Sequence, residues 1–314
     1  MQKKRRKTQR ISLAPLMLFI VCAAVCSLRM RAYYDGSASL GHLLLSLQFP
    51  FLHTVPLHYY QPEQEQAPDA LPPDISIELI PSAPDIDLGG NEPRILIYHT
   101  HATEAYFKTK DSTYEDSSKW RTLENDKNMI AVGEKLADTL RSYGIAVLHD
   151  TTNHEPPKLA TAYSRSVVTM EEYKEKYPSI TMFIDVHRDA YGNDPKEIAD
   201  YVTIDGKEYA RIMFVVGTGK GATGTGYSEM PDFEANYALA KRITEYVAAI
   251  DQGLVREIRV KSGRYNQHVS DQCLLVEVGH NANTLEQALN STDFLAEAIA
   301  NCGGLSPHQL SLSP

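Results

Sequence analysis

The sequence predicts an α/β domain built as a three-layer sandwich, with a largely parallel central sheet flanked by helices. Short apolar runs at Ile95–Ile97, Ile180–Val186 and Leu274–Val278 have the composition of buried parallel strands. These runs alternate with segments of helical periodicity, an order typical of sheets covered by helices on both faces. We expect this domain to span residues 93–304, after one amino-terminal transmembrane helix and a disordered linker. Residues 305–314 are expected to form a flexible tail.

The amino-terminal residues carry the pattern of a membrane anchor. Residues 1–32 contain eight Lys or Arg residues and no acidic residue, although the whole chain has a net charge of −9. The uncharged run Ile11–Leu28 is 18 residues long, close to the shortest length that spans a bilayer. The basic cluster before it predicts a cytoplasmic amino terminus and an extracytoplasmic remainder. A cleaved signal peptide is the alternative, since Ala23 and Ala24 could serve a peptidase.

The charge distribution also excludes one class of partner. The exported part of the chain is strongly acidic, and nucleic-acid binding needs a basic surface, so we expect no nucleic acid.

Residues 33–92 are expected to be a juxtamembrane segment followed by an acidic, proline-rich linker. Seven prolines alternate with acidic residues between Gln61 and Pro93: Pro62, Pro68, Pro72, Pro73, Pro81, Pro84 and Pro93 itself. A stretch of this composition cannot bury enough apolar surface to become ordered and stays extended. The linker would therefore hold the following domain away from the membrane.

The elements of the domain follow from apolar spacing and from capping residues. An Asn or Asp can cap the first helix, and Gly144 is suited to end it. The predicted helices are Met129–Leu140, Val167–Tyr177, Phe233–Ile250 and Thr284–Asn301. The predicted strands are Ile95–Ile97, Ile145–Leu148, Ile180–Val186, Ala210–Val216 and Leu274–Val278, with Tyr201–Ile204 as the hairpin partner of Ala210–Val216 across Asp205 and Gly206.

Three of these strands end in groups that can bind a metal ion. The first is followed by His99, His101 and Glu104, the central one ends at His187, and the last carries Glu277. Ligands collect at the carboxyl ends of strands in open α/β sheets, and zinc accepts imidazole nitrogen and carboxylate oxygen. A glutamate within an apolar strand costs desolvation free energy unless it has a partner or a function. Together the groups suit a zinc hydrolase with three protein ligands and a glutamate base, although either histidine of the first strand, taken alone, could be a structural residue.

Other polar features carry weaker signals. The glycine-rich run at residues 217–226 lacks the Gly-Lys-Ser/Thr ending of a phosphate loop and is predicted to be a flexible loop bordering the substrate groove. Arg188 and Asp189 could orient a ligand. The remaining histidines are expected at the surface or at the edge of the substrate site: His149, His154, His268 and His280.

Four motifs in this order resemble the stage II sporulation protein P family. They are IYHTHATE at residues 97–104, FIDVHRDA at 183–190, YNQHVS at 265–270 and LLVEVGHNAN at 274–283. The resemblance covers roughly residues 93–302. It implies a membrane-anchored peptidoglycan hydrolase, similar in fold to zinc-dependent N-acetylmuramoyl-L-alanine amidases, that cuts the muramoyl-alanine amide and the peptide cross-link. It also implies action at the sporulation septum, beside stage II sporulation proteins D and M, during engulfment.

Carried over residue by residue, the resemblance implies that His101 and His187 bind Zn²⁺ and that Glu277 is the catalytic glutamate. The third ligand has two candidates. His101 and Glu104 look like the H-x-x-E pair of zinc carboxypeptidases, which favours Glu104. The simpler amidases instead place this glutamate at the start of the first helix, where the present chain has Asp126 followed by Lys and Asn.

Two other functions fit the same residues. One is a zinc carboxypeptidase that trims stem peptides, which would need a cation such as Arg188 or Arg264 to bind the terminal carboxylate. The other is a zinc-free scaffold that binds the wall. His99 is expected to lie outside the metal ligands in each case.

Overall fold

The structure is a computed structural model that describes residues 86–190, 200–221 and 229–305. The predicted anchor at Ile11–Leu28, most of the predicted linker and the tail from residue 306 lie outside the described residues. No helix within the described ranges has the length and hydropathy of a membrane span.

The described residues contain eight strands and four α-helices. The strands are β1 (Ile95–Tyr98), β2 (Val147–His149), β3 (Met182–Asp189), β4 (Tyr201–Ile204), β5 (Lys207–Ala210), β6 (Ile212–Gly217), β7 (Arg259–Lys261) and β8 (Gln272–His280). The helices are α1 (Met129–Ser142), α2 (Ala162–Lys176), α3 (Phe233–Ile250) and α4 (Leu285–Cys302). All four predicted helices are therefore present, and β7 is a short strand that the sequence did not predict.

The central sheet has the strand order β2-β1-β3-β8-β6-β7. The first four strands are mutually parallel, β6 runs antiparallel to β8, and β7 is parallel to β6. The prediction of a largely parallel sheet flanked by helices is thus confirmed. Because β1, β3 and β8 are parallel neighbours, their carboxyl ends meet at one edge of the sheet.

The predicted hairpin is wrong in its second strand. β4 pairs with β5, not with the apolar run expected from Ala210, and the two-residue turn between them has Asp205 at φ 50° and Gly206 at φ 80°. A two-residue turn lets pairing resume at Lys207, directly after it. The apolar run that follows becomes β6, which is fully buried and pairs with β8 in the central sheet.

Helices cover both faces of the sheet. On one face, α1, α3 and α4 pack against β-strand residues such as Ile97, Ile184 and Val276. On the other, Met170 of α2 packs against Tyr98 and neighbouring strand residues. The alternation of side chains along each strand assigns successive residues to these two faces.

The core begins before the expected domain start at residue 93. Ile86 and Leu88 are buried and belong to the larger core cluster. A Cβ added to Gly303 would lie 2.9 Å from the Leu88 side chain, so Leu88 packs directly against the end of α4. The segment just before Pro93 is therefore part of the folded domain.

We predict that Leu88→Ala lowers the free energy of unfolding by about 2–5 kcal/mol, because it leaves a cavity in a fully buried site. Urea unfolding of the full-length chain measures this change. The matched control is Leu123→Ala, whose side chain is 67% exposed and should change the free energy by no more than about 0.5 kcal/mol. Equal effects of the two substitutions would contradict the assignment of Leu88 to the core.

Candidate active site

His99 and His101 follow the same strand but lie in different environments. His99 is fully buried, with Nδ1 3.0 Å from the carbonyl oxygen of Val186 and Nε2 2.9 Å from Nε2 of His149. Burial and the neighbouring His149 lower the pKa of His99 to about 3. Both of its ring nitrogens therefore have protein partners.

His101 lies beside His187. Their ring centroids are 5.3 Å apart, with the ring planes at 83°. Nδ1 of His101 is buried and has no hydrogen-bond partner among the described residues; the nearest carboxylate oxygen, Oε1 of Glu155, is 3.9 Å away. Burial lowers the pKa of His101 to about 4, so its imidazole is neutral at physiological pH, the form that binds a metal ion.

Glu104 faces the same two histidines from the turn after β1. Its Oε2 lies 3.6 Å from Nδ1 of His187, and its Oε1 lies 3.2 Å from Nη2 of Arg121. Burial raises the pKa of Glu104, but the positive charges of Arg188, His187 and Arg121 outweigh it and hold the pKa well below the usual range. Glu104 is therefore an ionised carboxylate next to an imidazole nitrogen.

Asp185, which was not among the predicted site residues, lies beside His187 on β3. Asp185 is buried and accepts hydrogen bonds from the backbone N and the Oγ1 of Thr100, at 2.8 and 2.6 Å. Its Oδ1 is 2.9 Å from Nε2 of His187, but without the alignment of a hydrogen bond. Burial lowers the pKa of His187, whereas the charges of Asp185 and Glu104 raise it well above its ordinary value. Because residues two apart on a strand share a face, the spacing D-V-H in the sequence could have pointed to this contact.

Glu277 is the direct neighbour of His187 in the sheet, since the two are register partners in the β3–β8 pairing. The residue is half-buried, while its Oε2 atom is shielded from solvent and has no hydrogen-bond partner among the described residues. Burial raises the pKa of Glu277 to about 8, against the opposing charge of His187. An unpartnered carboxyl group of this pKa is suited to exchange a proton near neutral pH.

The two candidates for the third ligand differ in burial and in their partners. Glu104 is buried beside His187, whereas the side chain of Asp126 is 75% exposed and forms an ion pair with Lys127 at 3.3 Å.

Of the two positions expected for the other four histidines, the surface or the edge of the substrate site, the surface is wrong for three of them. His154 is buried, with Nδ1 2.8 Å from the carbonyl oxygen of His99 and Nε2 2.9 Å from Oγ1 of Thr169. His280 is fully buried and the side chain of His149 is 2% exposed. The partners of His154 and His149 are a backbone carbonyl and side chains distant in sequence, which a linear pattern does not reveal.

Arg188 is buried and is held by backbone oxygens. Its Nε donates to the carbonyl of Ala105 at 2.9 Å, and its Nη2 donates to the carbonyl of Trp120 at 2.8 Å. Its Nη1 donates to the carbonyl of Asp189 at 3.3 Å. A guanidinium bound in this way is a structural cation next to Glu104.

Among the described residues, no three His, Cys, Asp or Glu side chains are positioned as they would be around a metal ion. Glu104 is instead turned toward Arg121 and the backbone N of Arg188, which lies 3.4 Å from its Oε2. The donor set nevertheless fits zinc chemically. Two imidazoles and an ionised carboxylate lie together, and Nδ1 of His101 is buried without a hydrogen-bond partner in this part of the chain.

Comparison with known proteins places the chain in a family. Residues 58–300 match the family model described as stage II sporulation protein P. Stage II sporulation protein P of Bacillus subtilis (strain 168) is 27% identical over an alignment of 223 residues, and the match covers 67% of this chain and 51% of that protein. The chain therefore spans about half the length of this curated relative.

Two solved structures are more distantly similar. The N-acetylmuramoyl-L-alanine amidase AmiC2 of Nostoc punctiforme is 16% identical and has a TM-score of 0.38; the match covers 71% of this chain and 99% of the amidase. The catalytic domain of the CD27L endolysin targeting Clostridia Difficile is 14% identical and has a TM-score of 0.39, with 68% and 97% covered. At these scores neither likeness carries an argument about the site.

The raised pKa of Glu277 predicts a pH-dependent stability in the metal-free chain. A carboxyl group whose pKa is higher in the folded state stabilises the fold fully below its unfolded pKa, and this contribution is lost as the pH rises through the folded pKa. The folded-state pKa of Glu277 is about 8. We therefore expect the free energy of unfolding of Glu277→Gln to rise relative to that of wild type between about pH 4.5 and pH 8. Above about pH 8 the difference between the two proteins should be constant. Urea unfolding across this range in the presence of a chelator measures it; a pH-independent difference would contradict the raised pKa.

Proposed function

Because the chain belongs to the stage II sporulation protein P family, we propose that it is a zinc-dependent peptidoglycan hydrolase that acts in sporulation. The bond proposed for cleavage is the N-acetylmuramoyl-L-alanine amide. The observation that carries the proposal is the meeting of His101, His187, Glu104 and Glu277 at one edge of the sheet. Histidine and carboxylate donors beside an unpartnered carboxyl group are the parts that metal-assisted amide hydrolysis requires.

His101, His187 and Glu104 are the proposed zinc ligands. A zinc ion bound there would lower the pKa of a coordinated water and polarise the amide carbonyl. Two of the three donors are already in the form that binds a metal ion: His101 is neutral because it is buried, and Glu104 is ionised because cations surround it. Arg121 contacts the Oε1 of Glu104 and leaves Oε2 on the side of His187. Outer partners of this kind orient ligating carboxylates.

Glu277 is the proposed general base. It would take a proton from the attacking water and return it to the leaving amide nitrogen. Its neighbouring position to His187 and its unpartnered Oε2 support this role, since a base that is already hydrogen-bonded to the protein is less available to water.

The carboxypeptidase alternative is less well supported. Arg188, one of its two candidate cations, directs its guanidinium to three backbone carbonyls. A cation that is buried and bound in this way is not placed to receive the terminal carboxylate of a stem peptide.

The proposed location is the outer side of the cell membrane at the sporulation septum, with Ile11–Leu28 as a single-pass anchor. Peptidoglycan is the substrate, and stage II sporulation proteins D and M are the proposed partners. These statements rest on family membership and on the charge pattern of the amino terminus.

We predict that His101→Ala and His187→Ala each lose stoichiometric zinc and hydrolysis of purified sacculi, since two remaining ligands hold the ion poorly against solvent. Metal analysis of the purified protein and release of soluble wall fragments measure the two effects. Glu104→Ala and Asp126→Ala form a matched pair for the third ligand. Zinc should be lost from Glu104→Ala and retained by Asp126→Ala; the opposite pattern would transfer the ligand role to Asp126.

Glu277→Gln should retain zinc and lose turnover by about 10²–10⁴-fold, because the amide has nearly the same shape but cannot accept a proton at neutral pH. Product release from sacculi, with zinc content measured on the same sample, tests this. Near-normal cleavage would remove Glu277 from the mechanism, and loss of zinc would make it a ligand.

A further inference from the structure

Tyr163 lies beside both of the histidines that are proposed as zinc ligands. It is the second residue of α2. Its ring is stacked on that of His187, with centroids 6.5 Å apart and planes at 11°. It also meets the ring of His101 at 88°, with centroids 5.7 Å apart. The proposed chemistry gives this tyrosine no role, so its contact with both imidazoles needs an explanation of its own.

The hydroxyl of Tyr163 is suited to donate a hydrogen bond to a bound substrate. The side chain is half-buried, and the hydroxyl forms no hydrogen bond with any residue that the structure describes. Burial is the main reason why the pKa of this hydroxyl lies above its ordinary value, and the charges of Asp185, Glu277 and Glu104 raise it further. The hydroxyl is therefore close to the carboxylates of the candidate site. A tyrosine is a proton donor at neutral pH even with an unshifted pKa of about 10.

The two arginines that act on Glu104 are already engaged by the protein. The guanidinium of Arg188 donates to three backbone carbonyls. The guanidinium of Arg121 is shared between Glu104 and Glu155. Neither arginine is placed to stabilise a negative charge on the substrate, whereas the hydroxyl of Tyr163 has a proton to share and no partner among the described residues.

We propose that Tyr163 donates a hydrogen bond to the carbonyl oxygen of the scissile amide and stabilises the negative charge that this oxygen gains in the tetrahedral transition state. The proton stays on the tyrosine throughout. A donor placed at such an oxygen favours the transition state over the bound substrate, because the hydrogen bond strengthens as the charge develops. The inference rests on the proposed function, because it adds a catalytic residue to the same site.

Hydrogen bonds fix the position of Tyr163 from its backbone. Nδ2 of Asn266 donates to the carbonyl oxygen of Tyr163 at 2.9 Å and to Oγ of Ser166 at 3.0 Å. Oγ of Ser166 lies 2.8 Å from Oγ1 of Thr100, which in turn donates to Asp185 at 2.6 Å. The first turn of α2 is thereby attached to the buried carboxylate of β3. A donor held in this way needs little reorganisation when charge develops on the substrate.

Asn266 belongs to a strained turn in the YNQHVS motif at residues 265–270. Tyr265 and Asn266 have φ 47° and φ 55°, left-handed conformations that are uncommon outside glycine and persist where the surroundings enforce them. The ring of Tyr265 meets that of Tyr163 at 76°, with centroids 5.7 Å apart. One residue of the turn therefore holds the ring of Tyr163 and the other holds its backbone, so we assign the motif to the positioning of this donor.

The test compares Tyr163→Phe with wild type in the zinc-loaded, full-length chain. Phenylalanine keeps the ring that packs on His187 and removes only the hydroxyl. We expect kcat for release of the stem peptide from a soluble muropeptide to fall by about 10²-fold, with an unchanged KM, since one oxyanion donor is lost. Zinc content, measured on the same sample, should equal that of wild type.

Tyr173→Phe is the matched control. It also removes a tyrosine hydroxyl from α2, but at a position about 15 Å further along the helix. Its kcat, KM and zinc content should all equal those of wild type.

A binding measurement separates a transition-state role from a structural one. Glu277→Gln should bind the muropeptide without turnover, and calorimetry then gives the dissociation constant. Adding Tyr163→Phe to this variant should leave the constant unchanged, because the proposed hydrogen bond acts on charge that the bound substrate does not yet carry.

Two results would overturn the role of Tyr163. One is a kcat of Tyr163→Phe equal to that of wild type. The other is loss of zinc or of muropeptide affinity, which would make the tyrosine a structural or binding contact. Wild type in the same assay separates this inference from the proposed function. A wild type that leaves the muramoyl-alanine amide intact refutes both, whereas an active wild type with an equally active Tyr163→Phe refutes this inference alone.

Discussion

The guanidinium of Arg188 joins the end of β3 to the loop that carries Glu104 and Trp120. A register irregularity in the β3–β8 pairing falls between His187 and Asp189, so Arg188 occupies the point where the strand departs from regular pairing. Such irregularities redirect side chains near active sites. The guanidinium then reaches across to the loop, where carbonyl oxygens and the charge of Glu104 compensate for its burial. The charge of Arg188 also lowers the pKa of Glu104, and the backbone N–H of Arg188 donates to Oε2 of that residue at 3.4 Å, so the end of β3 and the loop that carries Glu104 constrain one another.

The same charges shift the pKa values of the two glutamates of the site in different directions. Glu104 lies among Arg121, Arg188 and His187, and it remains ionised in spite of burial. Glu277 is buried with less compensation and has its pKa raised to about 8. Carboxyl groups whose environments move their pKa values apart serve different chemical roles. The division suits a permanently charged ligand and a base that can gain and lose a proton, which are the roles proposed for Glu104 and Glu277.

The sequence predicted the elements whose signals are local. The bounds of α3 agree with the prediction because Asp232 caps the helix and apolar residues follow at helical spacing. β7 was missed because Arg259–Lys261 is a half-buried edge strand without an apolar run. The strand ends also predicted which residues would lie close together, because the carboxyl ends of neighbouring parallel strands lie at the same edge of the sheet. The contacts of Thr100 with Asp185 and of Glu104 with Arg121 could not be read in this way, because each joins residues that are far apart in the chain.

His99 and His101 show how a strand end places two nearby histidines in different environments. Residues two apart on a strand share a face, so the period of the strand alone would place both histidines together. β1 ends at Tyr98, and the chain turns directly after it. His99 stays against α1, where a Cβ at Gly133 would lie 2.5 Å from its Nε2. A glycine inside a helix costs roughly 1 kcal/mol relative to alanine, and here it lets the helix approach the His99–His149 pair. His101 lies beyond the end of the strand, and its ring packs beside that of His187. One histidine therefore fixes the packing of α1 on the sheet, while the other remains available for chemistry.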